Sequence, residues 1–245
     1  MGFQQSNGEV LAYLDDDVRV SNTWLKAIYD NFDNDVKLAL LGGNCFPEFE
    51  IPPPKWIDAL WKLTPWGETI NEYSVLNSGG RVIENYPPGY VWGCNFIIRK
   101  KVLMECGGFH PDGMPADMLI YRGDGESYVS NYILDARYKT RFDPRASVFH
   151  WVGKDRLRLK YLYQRHFMQG ISDSYTAMRN NVSPLTIINN RGRRLPLSLE
   201  VDFLYALAIN FLAKKGYTNG LKYHRACLKK NPELLQWVLK ETYLV

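Results

Sequence analysis

A short apolar run, Val10-Leu11-Ala12-Tyr13-Leu14, is followed at once by three acids, Asp15-Asp16-Asp17. The run reads as a buried β-strand, because it is brief, apolar and bounded by polar residues. Three successive carboxylates repel one another and stay ionised at low cost only when a cation lies among them. At the C-terminal end of a buried strand in an α/β sheet they also lie where such sheets bind ligands. The competing reading is a solvated acidic turn. The rest of the chain decides between the two.

The pattern around the acids is that of an α/β protein. Ser21 or Asn22 can cap a helix whose apolar face carries Trp24, Leu25, Ile28, Tyr29 and Phe32. Val36 to Leu41 is a second continuous apolar run, closed by Gly42-Gly43. Strand, helix and strand in that order predict a βαβ unit with a parallel sheet. Pro47 to Pro54 reads as a proline-rich loop, Trp56–Leu63 as a short helix, and Thr64 to Pro88 as a long irregular loop. Tyr90 to Ile98 reads as a strand, and Lys100–Cys106 as a short helix stopped by Gly107-Gly108. A helix over Glu126–Arg137 follows, with Tyr128, Tyr132 and Ile133 facing inward. Two strands come next, turning at Asp143-Pro144 and ending at His150. Arg156 to Arg179 reads as a long helix. The chain from Pro196 reads as all-helical, broken by Gly216, Gly220 and Pro232. The expected division is an α/β domain over 1–180 and a helical extension over 181–245.

Composition narrows the class. The 245 residues are 46% hydrophobic and 23% charged, which is globular rather than disordered. Cys45, Cys94, Cys106 and Cys227 are scattered without a CxxC pair, so reduced thiols and a cytoplasmic setting are expected. The apolar stretch Phe203 to Ala213 contains Asn210 and is too short to span a bilayer. No secretory leader is expected at Met1. From Trp151 onward 16 Lys+Arg stand against 6 Asp+Glu, a net of +10; before it 14 stand against 20, a net of −6. An acidic first part suits a cation, and a basic second part suits phosphates or the anionic cytoplasmic face of a membrane. Solvated charged faces are the alternative for both. Leu197–Ala213, flanked by Arg191, Arg193, Arg194, Lys214 and Lys215, could lie on such a membrane; a dimer interface or a packed helical subdomain is the other reading.

Asn7-Gly8-Glu9, then Leu11, Tyr13, Leu14 and the three acids, resembles the segment that enters the DXD motif of family 2 glycosyltransferases. Further matches follow in the family's order. Gly93-Cys94-Asn95-Phe96, Arg99 and Gly107-Gly108-Phe109 resemble the acceptor-side segment. Gly123-Asp124-Gly125-Glu126 resembles the acidic stretch that opens a helix. His150-Trp151-Val152, Arg156, Arg165 and Gln169-Gly170 resemble what comes after. The resemblance spans roughly Gly2 to Ser172 and favours the cation reading of the acids.

The resemblance implies a GT-A fold, a Rossmann-like nucleotide-diphospho-sugar transferase architecture. It implies a nucleotide-sugar donor whose diphosphate leaves with added negative charge, and a Mg²⁺ or Mn²⁺ that neutralises it. Mapped onto this chain, Asp17 ligates the metal, Asp15 lies near metal and sugar, and Asp16 completes the donor side. His150 is the third metal candidate, with a structural histidine as the alternative. Arg156 and Arg165 are the candidates for diphosphate oxygens. Trp92, Gly93 and Asn95 are the acceptor-side candidates; Trp92 could equally be core.

An inverting transfer also needs a general base for the acceptor hydroxyl. The family's base follows the Gly125-Glu126 pair, and here that position is Ser127, which cannot serve. Glu126 is then the candidate base, with Asp124 next; a Glu that merely favours the first turn of its helix is the alternative.

The family's fold begins with βα units that hold the nucleotide, and this chain starts just before the DXD strand. An N-terminally truncated enzyme with weak donor binding is the expectation. The leading reading is a metal-dependent, inverting glycosyltransferase in glycan or polysaccharide assembly. Its expected partners are a glycan or lipid-linked acceptor, a peripheral membrane contact and a second copy of the chain, and not nucleic acid. A catalytically inactive binding or assembly protein is the second reading. A phosphotransferase or nucleotidyltransferase is the third, disfavoured by the lack of a P-loop.

Overall fold

The computed structural model of the chain describes residues 2–183 and 203–243. The expectations for Arg191, Arg193, Arg194 and the first residues of the Leu197–Ala213 stretch lie outside the described residues. The chain is an α/β protein, as its pattern leads one to expect. Its elements are α1 (Gly2–Gln5), β1 (Val10–Leu14), β2 (Val18–Val20), α2 (Trp24–Asn34), β3 (Leu38–Gly42) and β4 (Cys45–Phe49). After a 3-10 turn at Lys55–Leu60 come β5 (Lys62–Thr64), β6 (Gly67–Ile70), β7 (Val75–Asn77), β8 (Ile83–Glu84), β9 (Asn95–Arg99) and α3 (Lys100–Glu105). Then follow α4 (Glu126–Asp135), β10 (Lys139–Phe142), β11 (Val148–Val152), α5 (Leu159–Arg179), α6 (Phe203–Lys230) and α7 (Pro232–Leu239).

The strands form a five-stranded sheet, β1-β9-β3-β10-β8, and a six-stranded sheet, β2-β11-β4-β7-β6-β5. Within the described residues the chain leaves the first sheet and enters the second three times: from β1 to β2, from β3 to β4, and from β10 to β11. The acids Asp15-Asp16-Asp17 are the first of these crossings. Gly42-Gly43-Asn44 is the second. A Cβ on Gly43 would stand 2.0 Å from the Ala146 carbonyl of the third, so the crossings pack backbone to backbone.

β1 and β3 run in the same direction with α2 between them, but they are not neighbours. β9 lies between the two and antiparallel to both. The expected parallel βαβ pair is thus split by a later strand. Among the described residues β1 pairs with β9 alone, so it is not fully buried: Leu11 is covered, and Leu14 is 40% exposed. The fully buried centre is β3 and β9, with Leu38, Leu40, Leu41, Phe96, Ile97 and Ile98. α2 begins at Trp24 without a side-chain cap; the Ser21 and Thr23 hydroxyls both donate to the Arg145 carbonyl instead. Its buried face is Trp24, Ala27, Ile28 and Phe32, while Leu25 and Tyr29 face out.

Two stretches read as loops are strands. Pro47 lies inside β4, parallel to β11, and the region from Thr64 to Pro88 contains β6, β7 and β8. These strands are too short and too polar to show a period. The helix read over Trp56–Leu63 is a 3-10 turn that ends at Leu60, where β5 begins two residues on.

Gly216 and Gly220 do not break α6. They let it lie against α5: a Cβ on Gly220 would stand 1.9 Å from the Phe167 carbonyl, one on Gly216 2.4 Å from that of Tyr163, and one on Gly170 2.2 Å from that of Tyr217. Leu162 and Ile209 share one core cluster and Tyr175 and Leu228 another, so the helices run in the same direction. No described helix is long and apolar enough to cross a membrane.

Candidate active site

The β1–β2 crossing is held against β11. β2 pairs antiparallel with β11, with Val20 opposite Val148 and Val18 opposite His150. The ladder runs one step further, where the Trp151 N–H donates to the Asp17 carbonyl at 2.8 Å. That pairing sets the side chain of Asp17 beside the ring of His150, although nothing local in the sequence links them. One donor atom each from Asp15, Asp17 and His150 lies within 4.8 Å of the others.

The local chemistry suits a cation. The Tyr73 carbonyl accepts from Nδ1 of His150 at 2.7 Å, which leaves the Nε2 lone pair of the neutral ring facing outward. Nε2 stands 3.3 Å from Asp17 Oδ1, and Arg156 Nη1 approaches it at 3.2 Å. Arg156 Nη2 donates to Asp17 Oδ2 at 2.8 Å. Asp17 Oδ1 is buried and accepts no hydrogen bond among the described residues, which is an expensive state for a carboxylate oxygen. A divalent cation is the partner such an atom fits, and two carboxylates with an imidazole are an ordinary ligand set for one.

The charges respond accordingly. Desolvation and the neighbouring Asp17 carboxylate hold the Asp15 carboxyl above its usual range. Burial pulls His150 down, but Cys45 and Asp17 outweigh it, and the ring is held above its ordinary value. Asp16 is exposed and stays outside the group.

A second carboxylate group also acts on Cys94. Glu126 opens α4, and its Oε1 accepts the Gly93 N–H at 3.4 Å. Gly125 before it has φ +49°, and a Cβ there would stand 2.6 Å from Asp112 Oδ2, so only glycine fits that turn. Burial, then the Asp112 carboxylate, holds the Glu126 carboxyl above its usual range, against the pull of the Gly93 N–H and of Arg165. Asp112 is itself fastened by Arg122 at 2.7 Å, and Arg122 Nε donates to Ser172 Oγ on α5. The Cys94 thiol is pushed up by Cys45 and burial, and also by both Asp15 and Glu126. The two acidic groups therefore lie within electrostatic reach of one buried side chain.

The remaining candidates part company. The Arg165 charge is felt by Glu126 and Arg122. The carboxylate of Asp124 is committed elsewhere, to His110 Nδ1 at 2.6 Å and to the Thr176 hydroxyl at 2.7 Å. Asn95 is buried with both amide ends in use: Oδ1 accepts from Trp24 Nε1 at 3.0 Å and Nδ2 donates to the Ala146 carbonyl at 2.8 Å. Trp92 is half-buried against the main core, and its Nε1 donates to the Gly89 carbonyl. Ser127 is exposed on α4. Sequence reasoning passed over Asp112 and Arg122, which carry no local motif, and Tyr73, which acts through its carbonyl. The adjacency of Gly93 to Glu126 was legible only as two separate matches.

No family model matches the chain. Over 178 residues it is 22% identical to a glucosyl-dolichyl phosphate glucuronosyltransferase of Haloferax volcanii, covering 70% of this chain and 52% of that protein. The chain thus spans about half the length of the curated relative it matches. Among solved structures it aligns with a crystal structure of GalNAc-T7 with UDP, GalNAc and Mn²⁺. The TM-score is 0.41 at 16% identity, over 95% of this chain and 43% of that one. By sequence, the chain is a distant homologue of a glycosyltransferase, the class its motifs resemble.

Proposed function

We propose that the chain is the catalytic part of a metal-dependent, inverting glycosyltransferase that uses a nucleotide-diphosphate sugar and a lipid-linked or glycan acceptor. The observation that carries this reading is the buried, unpartnered Asp17 Oδ1 beside His150 Nε2 and Asp15. The name of the Haloferax relative supports a lipid-linked glycan as acceptor.

A divalent cation held by Asp15, Asp17 and His150 would neutralise the diphosphate as the sugar leaves it. The protein's own groups do the rest. Arg156 gives up Asp17 and offers its fork to diphosphate oxygens, where a guanidinium binds bidentately. Glu126 accepts the proton of the acceptor hydroxyl. Its raised carboxyl suits that work, because a base near the working pH transfers protons best. The Gly93 N–H orients Oε1, and Asp112 tunes the carboxyl by like charge.

The test is release of nucleoside diphosphate from UDP-glucose, UDP-glucuronate and GDP-mannose, with Mn²⁺ or Mg²⁺ and a glucosylated polyprenyl phosphate. The expected result is metal-dependent release from one donor, abolished by chelation and by Asp17→Asn. Nucleotide binding without turnover across the panel would contradict the enzyme reading and leave a binding protein. Release that survives Asp17→Asn would contradict the metal assignment.

A further inference from the structure

A cavity of about 440 Å³ opens between α4, the end of α5 and Leu239 at the end of α7. Its size falls within the roughly 300–1,000 Å³ of small-molecule sites. It lies on a different face of α4 from Glu126. Asn131, Tyr132 and Asp135 line it, while Val129, Ser130 and Ile133 of the same helix are buried. Its inner wall is His110, 5% exposed, whose ring stacks on Tyr128 with centroids 3.7 Å apart.

His110 is held through one ring nitrogen. Asp124 Oδ1 engages Nδ1 at 2.6 Å and Asp124 Oδ2 accepts from Thr176, so the carboxylate is spent. Nε2 is buried and has no hydrogen-bond partner among the described residues. A buried ring nitrogen left in that state is costly unless a ligand or water meets it.

The lining selects the ligand's chemistry. Acids and a base are mixed: Asp135 and Asp124 stand against Arg179, and Arg179 is already committed to the Val238 and Lys240 carbonyls at 2.7 and 2.6 Å. That is no cradle for a phosphate or carboxylate. What remains exposed is Asn131, Asp135 and Asn180, which donate or accept, beside the rings of Tyr128 and Tyr132. Amides and a carboxylate next to aromatic rings match a neutral molecule dense in hydroxyls with apolar C–H faces.

We propose that this cavity is a carbohydrate-binding subsite, separate from the Asp15–Asp17 crossing, that holds one or two neutral sugar units of a glycan against Asn131, Asp135 and Asn180. It does not depend on the assignment of the donor site.

The test is titration of the full chain with maltose, cellobiose, chitobiose and mannobiose, read by saturation-transfer NMR and calorimetry. The expected result is saturable binding of at least one disaccharide, with Kd roughly millimolar. The double variant Asn131→Ala/Asp135→Ala, both exposed positions, weakens it by about tenfold or more while far-UV circular dichroism stays unchanged. Asp17→Asn leaves it intact. Absence of binding to all four sugars would overturn the proposal, as would equal binding by the double variant. Loss of binding in Asp17→Asn would also overturn it, by moving the sugar to the donor side.

Discussion

His150 Nε2 stands 3.3 Å from Asp17 Oδ1, and the antiparallel pairing of β2 with β11 puts it there. The ring is turned by the Tyr73 carbonyl on Nδ1, so Nε2 is the ring nitrogen that faces the carboxylate. An imidazole among the ligands favours Mn²⁺ over Mg²⁺, because nitrogen is a softer donor than oxygen. In calorimetric titrations the chain is expected to bind Mn²⁺ more tightly than Mg²⁺. His150→Ala is expected to weaken Mn²⁺ by roughly 10–100-fold and to narrow that preference. Equal affinities in the wild-type chain would count against His150 as a ligand.

Arg156 leads to a prediction of opposite signs. Its guanidinium pairs with Asp17 Oδ2 at 2.8 Å and so competes with a cation for that carboxylate. Arg156→Ala is expected to tighten Mn²⁺ binding measured alone and to weaken UDP or GDP binding measured with Mn²⁺ present. Calorimetry reads both. A variant that weakens both would make Arg156 a simple structural brace of the crossing.

Glu126 couples stability to pH in the direction its raised carboxyl dictates. The folded state holds the proton more tightly than the unfolded chain. The associated stability is therefore present below the unfolded carboxyl value and is lost as pH rises through the folded value. Glu126→Gln removes the charge, so its Tm is expected to exceed that of the wild-type chain at pH 8 and to match it near pH 4. Asp112→Asn lowers the Glu126 carboxyl by removing a like charge, and the acid limb of kcat/KM is expected to move to lower pH. An unmoved limb would separate Asp112 from the base.

Asn95 offers a contrast between structure and chemistry. Its amide joins Trp24 Nε1 to the Ala146 carbonyl, fastening β9 to α2 and to the third sheet crossing. Asn95→Ala leaves two buried groups without partners and is expected to cost about 1–3 kcal/mol in urea unfolding. The KM for acceptor is expected to stay unchanged. A changed KM with unchanged stability would return Asn95 to the acceptor side.

The α5–α6 contact is equally testable. Gly220→Ala sets a methyl 1.9 Å from the Phe167 carbonyl, and the helices must part to take it. The expected loss is about 1–3 kcal/mol or more. Gly80→Ala, where nothing among the described residues stands within 4 Å, is the control and is expected to change little.

Some of this was legible in the sequence, and the limits are physical. β1 and its acids, β3, α2, β10 and β11 were readable because each carries a local period or an apolar run. β2 has three residues and shows none. The place of β9 between β1 and β3 was hidden because strand order is a property of contacts distant in sequence. Gly216 and Gly220 read as breakers because a glycine that lets two backbones touch looks the same, in one sequence, as a glycine that ends a helix. At the site, the acids and His150 were found by type, and their adjacency came only from the ladder. Asp124 was chosen for its place beside Gly125-Glu126, yet its carboxylate turns to His110 and Thr176. Asp112 carries no motif and was reached only through its contact with Gly125.

The most direct test of the central claim is anomalous scattering from crystals of the chain soaked with Mn²⁺, measured at the manganese edge. The account predicts a peak within coordinating distance of Asp17 Oδ1 and His150 Nε2, with Arg156 withdrawn from Asp17. A chain that takes up no Mn²⁺ there, with Arg156 still paired to Asp17, would contradict it.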